Sequence, residues 1–115
     1  MYTASFIFSE RDLTEEFFAL DAEIEQAALQ TDGFLGKESW TAADGSKRNS
    51  VYYWRDLAAL GQFAKHPRHL EAKRRYEEWY GGFHVVIAEV MRSYGDGALG
   101  HITPNERAQR TAKTP

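Results

Sequence analysis

The stretch FLGKESWTAADGSKRNSVYYWR, residues 34–55, decides the fold. Residues 34–41 and 47–55 are two runs of strand composition, joined by Ala42-Ala43-Asp44-Gly45-Ser46. An Asp-Gly pair suits a tight reversal, because glycine takes positive φ with no Cβ to clash. The two runs are therefore expected to be antiparallel neighbours. Within the second, Tyr52 and Trp54 share one side of the sheet and Tyr53 takes the other, since a strand alternates its faces.

Upstream of this hairpin lies a helix. Leu13, Phe17, Leu20, Ile24 and Ala27 or Ala28 recur at helical spacing and form one apolar stripe. Asp12 followed by Glu15 has the form of a capping box, and Thr31-Asp32-Gly33 is the expected stop, with Gly33 in the left-handed position. Before the helix, Phe6, Ile7 and Phe8 mark a short strand over residues 3–9.

Downstream, Arg55 or Asp56 opens a helical stretch through Leu57, Leu60, Phe63 and Ala64. Pro67 interrupts it, because proline donates no hydrogen bond and sits best in the first turn of a new helix. His66, just before it, is expected to cap that new helix. The second segment is expected to run from about residue 68 to 80, stopping at Gly81-Gly82, and residues 83–94 read as a long final strand.

The order is strand, helix, strand, strand, broken helix, strand. This is the α+β, ferredoxin-like β-α-β-β-α-β unit with an antiparallel sheet. Helices on one face leave the other to be covered. The final strand is apolar on both sides, with Phe83, Val85 and Ile87 on one and Val86, Ala88 and Val90 on the other. A homodimer is expected, because a second copy is the simplest cover for the second face.

At 115 residues the chain has the length of one domain. Residues 1–95 form that domain and residues 96–115 a C-terminal extension that begins after a flexible joint at Gly95, Asp96, Gly97 and Gly100. Thr103-Pro104-Asn105-Glu106 has the form of a capping box, so a short helix to about Arg110, packed on the partner subunit, is expected.

The net charge of -3 and a pI near 5.8 argue against nucleic acid as a partner. No apolar run approaches the roughly 18 residues of a membrane span, and MYTASFIFSERD lacks a basic leader region. With no cysteine there are no disulfides, thiolate metal sites or thiol nucleophiles. The expectation is a soluble, cytoplasmic protein. Asp12, Glu15, Glu16, Asp21, Glu23 and Glu25 make the first helix acidic and are read as a solvated ridge, with a docking surface for a basic partner as the alternative.

Several residues arrive in a familiar order. Tyr53-Trp54-Arg55, Leu57, Phe63, His66-Pro67-Arg68-His69, Ala72, Trp79-Tyr80, Val85 and Arg92-Ser93-Tyr94-Gly95 resemble the antibiotic-biosynthesis-monooxygenase domain family. Gly33-Phe34-Leu35-Gly36 is similar to that family's turn into its second strand. The resemblance covers residues 3–95. It implies a dimeric α+β barrel with a pocket in each subunit between helices and sheet. Members include cofactor-independent oxygenases of polycyclic phenols and quinone precursors, haem-degrading enzymes, and small proteins without known activity, so the fold alone does not select the reaction.

His69 is the candidate catalytic residue. On a continuous helix, His69, Ala72, Tyr76 and Trp79 or Tyr80 fall on one face, while Arg68, Glu71, Arg74, Arg75 and Glu78 take the opposite, solvated side. Glu71 and Arg75 are then spaced for an ion pair. His69 is expected to point toward the pocket that the resemblance implies. An imidazole there can take a proton from a phenol or an activated C–H near neutral pH, and the alternative is a core histidine bonded to backbone. Trp54, Phe63, Tyr76, Trp79 and Tyr80 are the candidate substrate-binding residues. Their rings suit a flat, electron-rich molecule, and equally suit a plain core.

Three functions follow. The first is a cofactor-independent monooxygenase acting on a small aromatic substrate of phenol or quinone type, with His69 as base and Tyr76, Tyr80 or Trp54 holding a developing oxyanion. The second is a non-catalytic dimer that binds a small hydrophobic ligand. The third is haem binding or degradation, and here the pattern departs from the family. Residues 3–9 contain no asparagine, Phe63 stands where a tryptophan is wanted, and Lys73 falls at the axial position. No cofactor is expected, with haem disfavoured. A metal is not expected either, since Pro67 separates His66 from His69 and no helix carboxylate completes a triad.

Overall fold

The computed structural model describes residues 1–107. Its elements are β1 (Tyr2–Glu10), α1 (Glu15–Gln30), β2 (Phe34–Thr41), β3 (Arg48–Trp54), α2 (Leu57–Ala64), α3 (Pro67–Arg74), α4 (Tyr76–Trp79) and β4 (Tyr80–Glu89). The strands form one antiparallel sheet in the order β2-β3-β1-β4. This is the ferredoxin-like α+β fold.

The local signals account for most of the boundaries. Ala42 donates to the Lys47 carbonyl (2.9 Å) and Ser46 to Asp44 (3.0 Å), which closes the hairpin. Asp56 caps α2 by accepting from the Ala59 amide at 2.8 Å. His66 caps α3, its ring accepting from the Arg68 amide at 3.1 Å, with Pro67 in the first turn.

Three boundaries move. Thr14, not Asp12, caps α1 and accepts from the Phe17 amide. The Arg11 and Asp12 amides instead reach the Trp79 carbonyl (2.8 and 3.1 Å), so the chain uses these residues to cross before the helix starts. The helix after Pro67 is not continuous to residue 80. It breaks at Arg75, and Gly81 and Gly82 belong to β4, where Tyr80 already pairs with Glu10. At its far end β4 stops at Glu89 rather than Tyr94, because β1 runs out of residues to pair with. Val90 makes the last bond, to the Met1 carbonyl.

The core lies between the helices and one face of the sheet. Phe17, Leu20, Ile24, Ala27 and Ala28 of α1 are buried against Trp54, Ala59, Phe63 and Trp79. Trp54 and Trp79 are the largest fully buried side chains, and burying each ring contributes roughly 3 kcal/mol or more before entropy is counted. Arg75 does not pair with Glu71. Its guanidinium lies over the Trp79 ring (4.7 Å) and bonds Glu16 of α1 (2.8 Å) and Glu78 (2.7 Å), so it ties the helix break to α1. Glu71 pairs with Arg68 and Arg74.

The residues after β4 fold back over the other face of the sheet, above β2 and β3. Ile102 packs directly over Gly36, with its side chain 2.9 Å from where a Cβ would stand. The His101 ring meets Tyr53 edge-on and bonds the Glu38 carboxylate at 3.1 Å, and Tyr53 donates to the same oxygen at 2.5 Å. Side chains of Ser93 and Thr103 bond each other, and Glu106 donates to the Ser93 carbonyl at 3.0 Å, closing the segment on itself. Glu106 and Arg107 are helical, and the remainder of the short helix expected to Arg110 lies outside the described residues.

Gly33 takes φ +99°, and a Cβ there would stand 2.7 Å from the Ala59 Cβ. Its carbonyl accepts from the Arg55 amide at 2.7 Å, so the turn cannot shift freely. Gly33→Ala is therefore expected to destabilise the fold by about 2 kcal/mol or more, measured by urea denaturation, through left-handed strain plus overpacking.

Candidate functional site

Between the helices and the sheet lies a cavity of about 850 Å³. One wall is sheet, with Tyr52 and Trp54 from β3 and Tyr80, Phe83, Val85 and Ile87 from β4. The opposite wall is helical, with Phe63 from α2, His69 from α3 and Tyr76 from α4. The residues singled out from sequence are thus brought together on one cavity, with one exception. Trp79 sits in the core behind it, 1% exposed, between Phe17 (5.4 Å between ring centres) and Arg75. The break at Arg75 explains this: once the helix is interrupted, Tyr76 and Tyr80 face the cavity while Trp79 turns into the core.

His69 stands against the Phe63 ring at 4.9 Å. Its Nδ1 is buried and has no hydrogen-bond partner among the described residues. Burial lowers its pKa below the ordinary 6.5, the Lys73 ammonium one turn on lowers it further, and the Ala64 carbonyl offsets part of this. The imidazole is consequently neutral at pH 7, with a free ring nitrogen inside an apolar space.

Trp54 is held on three sides. Its ring meets Phe34 and Phe63 (5.1 Å each) and stacks on Tyr52 at an interplanar angle of 9°. The indole Nε1 is likewise buried without a partner among the described residues. An orphaned donor and an orphaned imidazole nitrogen therefore flank the same phenylalanine, in two residues that line the cavity.

Asp21, expected in the solvated acidic ridge of the first helix, lies on the cavity instead. Asp21 follows Phe17 by one helical turn, and its side chain lines the cavity at the edge of the buried stripe. Burial raises its pKa above 3.8, Lys37 lowers it and Glu25 raises it. Burial, and then the Asp21 charge, push the Tyr52 and Tyr80 phenols upward. Lys37 of β2 also lines the cavity, with its ammonium 5.3 Å from the centre of the Tyr52 ring. The signal that finds Asp21 in the sequence is its i+4 spacing from Phe17, which a reading by residue type alone passes over. No group of three or more His, Asp or Glu among the described residues is placed to hold a metal ion. Among the same residues no helix is long and apolar enough to cross a membrane.

The family model of monooxygenase af470-like proteins matches residues 7–88. The chain belongs to that family. Its members are of the antibiotic-biosynthesis-monooxygenase type, and solved structures with this fold agree. Rv0793 from Mycobacterium tuberculosis is 18% identical over 82% of this chain and 98% of its own, with a TM-score of 0.69. SnoaB, a cofactor-independent oxygenase from Streptomyces nogalater, is 14% identical over 80% of this chain and 94% of its own, with a TM-score of 0.66. A Deinococcus radiodurans protein named for antibiotic biosynthesis monooxygenase is 16% identical over 83% and 97%, with a TM-score of 0.68. No curated protein matches the chain significantly. At these identities the af470-like chain shares a fold with its neighbours, and its chemistry has to be argued from its own residues.

The raised pKa of Asp21 has a consequence for stability. Between pH 3.8 and its folded value the folded chain holds the proton more tightly than the unfolded chain, so stability falls as pH rises through that window. At pH 7 the charge works against the fold. Asp21→Asn is therefore expected to raise Tm at pH 7, with the gain shrinking toward about pH 3, as measured by calorimetry across pH.

Proposed function

We propose that this protein is a cofactor-independent monooxygenase that oxidises a small, electron-rich aromatic substrate of phenol or quinone-precursor type with O₂. The observation that carries the reading is the His69 imidazole on the wall of the aromatic cavity, its pKa lowered by burial and its Nδ1 without a hydrogen-bond partner among the described residues. A flat substrate lies in the cavity against the mutually packed Tyr52, Trp54 and Phe63 rings. His69 removes a proton from an activated methylene or hydroxyl, leaving a carbanion or phenolate. For a methylene, the anion reduces O₂ and a C–O bond forms, giving a peroxide that takes up a proton. Loss of the second C–H proton then cleaves the O–O bond, so R₂CH₂ and O₂ become R₂C=O and water. Tyr76 or Tyr80, whose side chains line the cavity, donates to the substrate oxygen on which charge develops, and the apolar walls keep bulk water away from the anion.

The test is oxygen uptake by metal-free protein with anthrones, hydroquinones and catechols, wild type beside His69→Ala. Saturable uptake that drops about 100-fold in the variant is the expected result, and kcat/KM should fall on the acid side with an apparent pKa below 6.5. Uptake equal in both proteins removes His69 as the base. Absence of uptake from every compound, with ligand binding intact, moves the protein to the non-catalytic binding function.

We also propose a homodimer that forms through the sheet face opposite the cavity. The tail segment covers Tyr53 on the β2–β3 half of this face, which leaves the β1–β4 half for a second copy. Val86 (42% exposed) and its neighbour Ala88 lie there, and an apolar strand this open is rare on a monomer. Val86→Asp is expected to convert the dimer to monomer in sedimentation velocity. A monomeric wild type at about 100 μM would remove the dimer, since a stable interface of ordinary size holds well below that concentration.

A further inference from the structure

Of the four charged side chains on the cavity, Arg48 bonds Glu10 and Lys73 stands one turn beyond His69, while Asp21 and Lys37 are left without a role in this mechanism. Asp21 accepts no hydrogen bond and makes no ion pair among the described residues, although it is largely withdrawn from water. Lys37 faces it from β2, makes no ion pair among the described residues, and rests its ammonium on the Tyr52 ring. The two feel each other's charge but do not touch. Opposite charges in a half-buried site normally close on each other, because contact offsets part of the desolvation of both. Here they do not close on each other: Lys37 pairs opposite Tyr52 in the β2–β3 ladder and its ammonium lies over the Tyr52 ring instead.

Two unpaired opposite charges on one cavity suit a group that donates to the carboxylate and accepts from the ammonium. One hydroxyl oxygen does both. A ligand carboxylate in the same place would face the Asp21 charge, and a ligand ammonium would face Lys37, so either ion meets one repulsion for each attraction. We propose that Asp21 and Lys37 form a two-point clamp for a ring hydroxyl, which selects neutral phenols or enols over aromatic acids and amines. The clamp rests on the cavity being the substrate site. It adds a specificity to the proposed oxidation and leaves His69 as the base: the ring hydroxyl donates to the Asp21 carboxylate and accepts from the Lys37 ammonium, which fixes the ring in the cavity. The other charged or titratable groups acting on Asp21 or acted on by it are Glu25 on the same helix, Tyr52 on β3 and Tyr80 on β4.

The experiment is isothermal titration calorimetry of the full chain with 2-naphthol, 2-methoxynaphthalene, 2-naphthoate and 2-naphthylmethylammonium. Wild type is expected to bind 2-naphthol about tenfold or more tightly than 2-methoxynaphthalene, and more tightly than either ion, as hydrogen bonds to charged groups allow. Asp21→Asn and, independently, Lys37→Met should each remove most of that preference while leaving 2-methoxynaphthalene binding unchanged. Asp12→Asn, which makes the same charge change on the segment leading into α1, should leave the preference intact. Equal binding of the hydroxyl and methoxy compounds by wild type, or a preference that survives both cavity variants, overturns the clamp and leaves the aromatic cavity standing. Binding of none of the four overturns both.

Discussion

Full burial of Trp54 is the constraint on which the rest of this structure depends. The indole ends β3, closes the core formed by α1 and α2, and at the same time makes the floor of the cavity. Phe34, Tyr52 and Phe63 hold it on three sides, so the plane of the ring is set by the hairpin and by the first turns after it. Core and cavity are therefore parts of a single packing arrangement. A change that loosens the β2–β3 hairpin or tilts α2 would be felt in both.

The cavity exists because the helical layer is too short for the sheet. Four helices made from 16, 8, 8 and 4 residues leave part of the sheet uncovered on this side, with Phe83, Val85 and Ile87 of β4 about half exposed on the cavity. The break at Arg75 then lets Tyr76 and Tyr80 swing to the cavity while Trp79 anchors the core. Arg75 stabilises that break by bonding Glu16 and Glu78 and by lying over the Trp79 ring, a partly shielded arrangement worth more than an exposed ion pair.

The electrostatics of the cavity follow from the same geometry. Burial moves His69 downward and Asp21 upward, in each case toward the uncharged form. The fold thus carries on one cavity a base and an acid each shifted toward its neutral form, and an indole donor without a partner among the described residues. Each of these costs stability, and costs of that kind concentrate where ligands are handled.

Fold class was legible in the sequence because its signals are local. Asp44-Gly45 made the hairpin, the Phe17–Leu20–Ile24 spacing made α1, Asp56 and His66-Pro67 started α2 and α3, and their order is enough to specify a ferredoxin-like unit. The alternation of Tyr52, Tyr53 and Trp54 likewise assigned two rings to the cavity side and one to the other face, as strand geometry requires. The tertiary structure decided what depends on partners distant in the chain. Thr14 rather than Asp12 caps α1 because the Trp79 carbonyl claims the preceding amides, and Trp79 leaves the cavity because the helix breaks under Arg75. Asp21 enters the cavity because the stripe of α1 is wider than its apolar residues, and a carboxylate at its edge is read as solvated until the sheet beneath it is known. His101 meets the ring of Tyr53, 48 positions back in the chain, and Ile102 packs over Gly36, contacts that no periodicity encodes. Local chemistry set the elements, and packing across the sheet chose which side chains share a site.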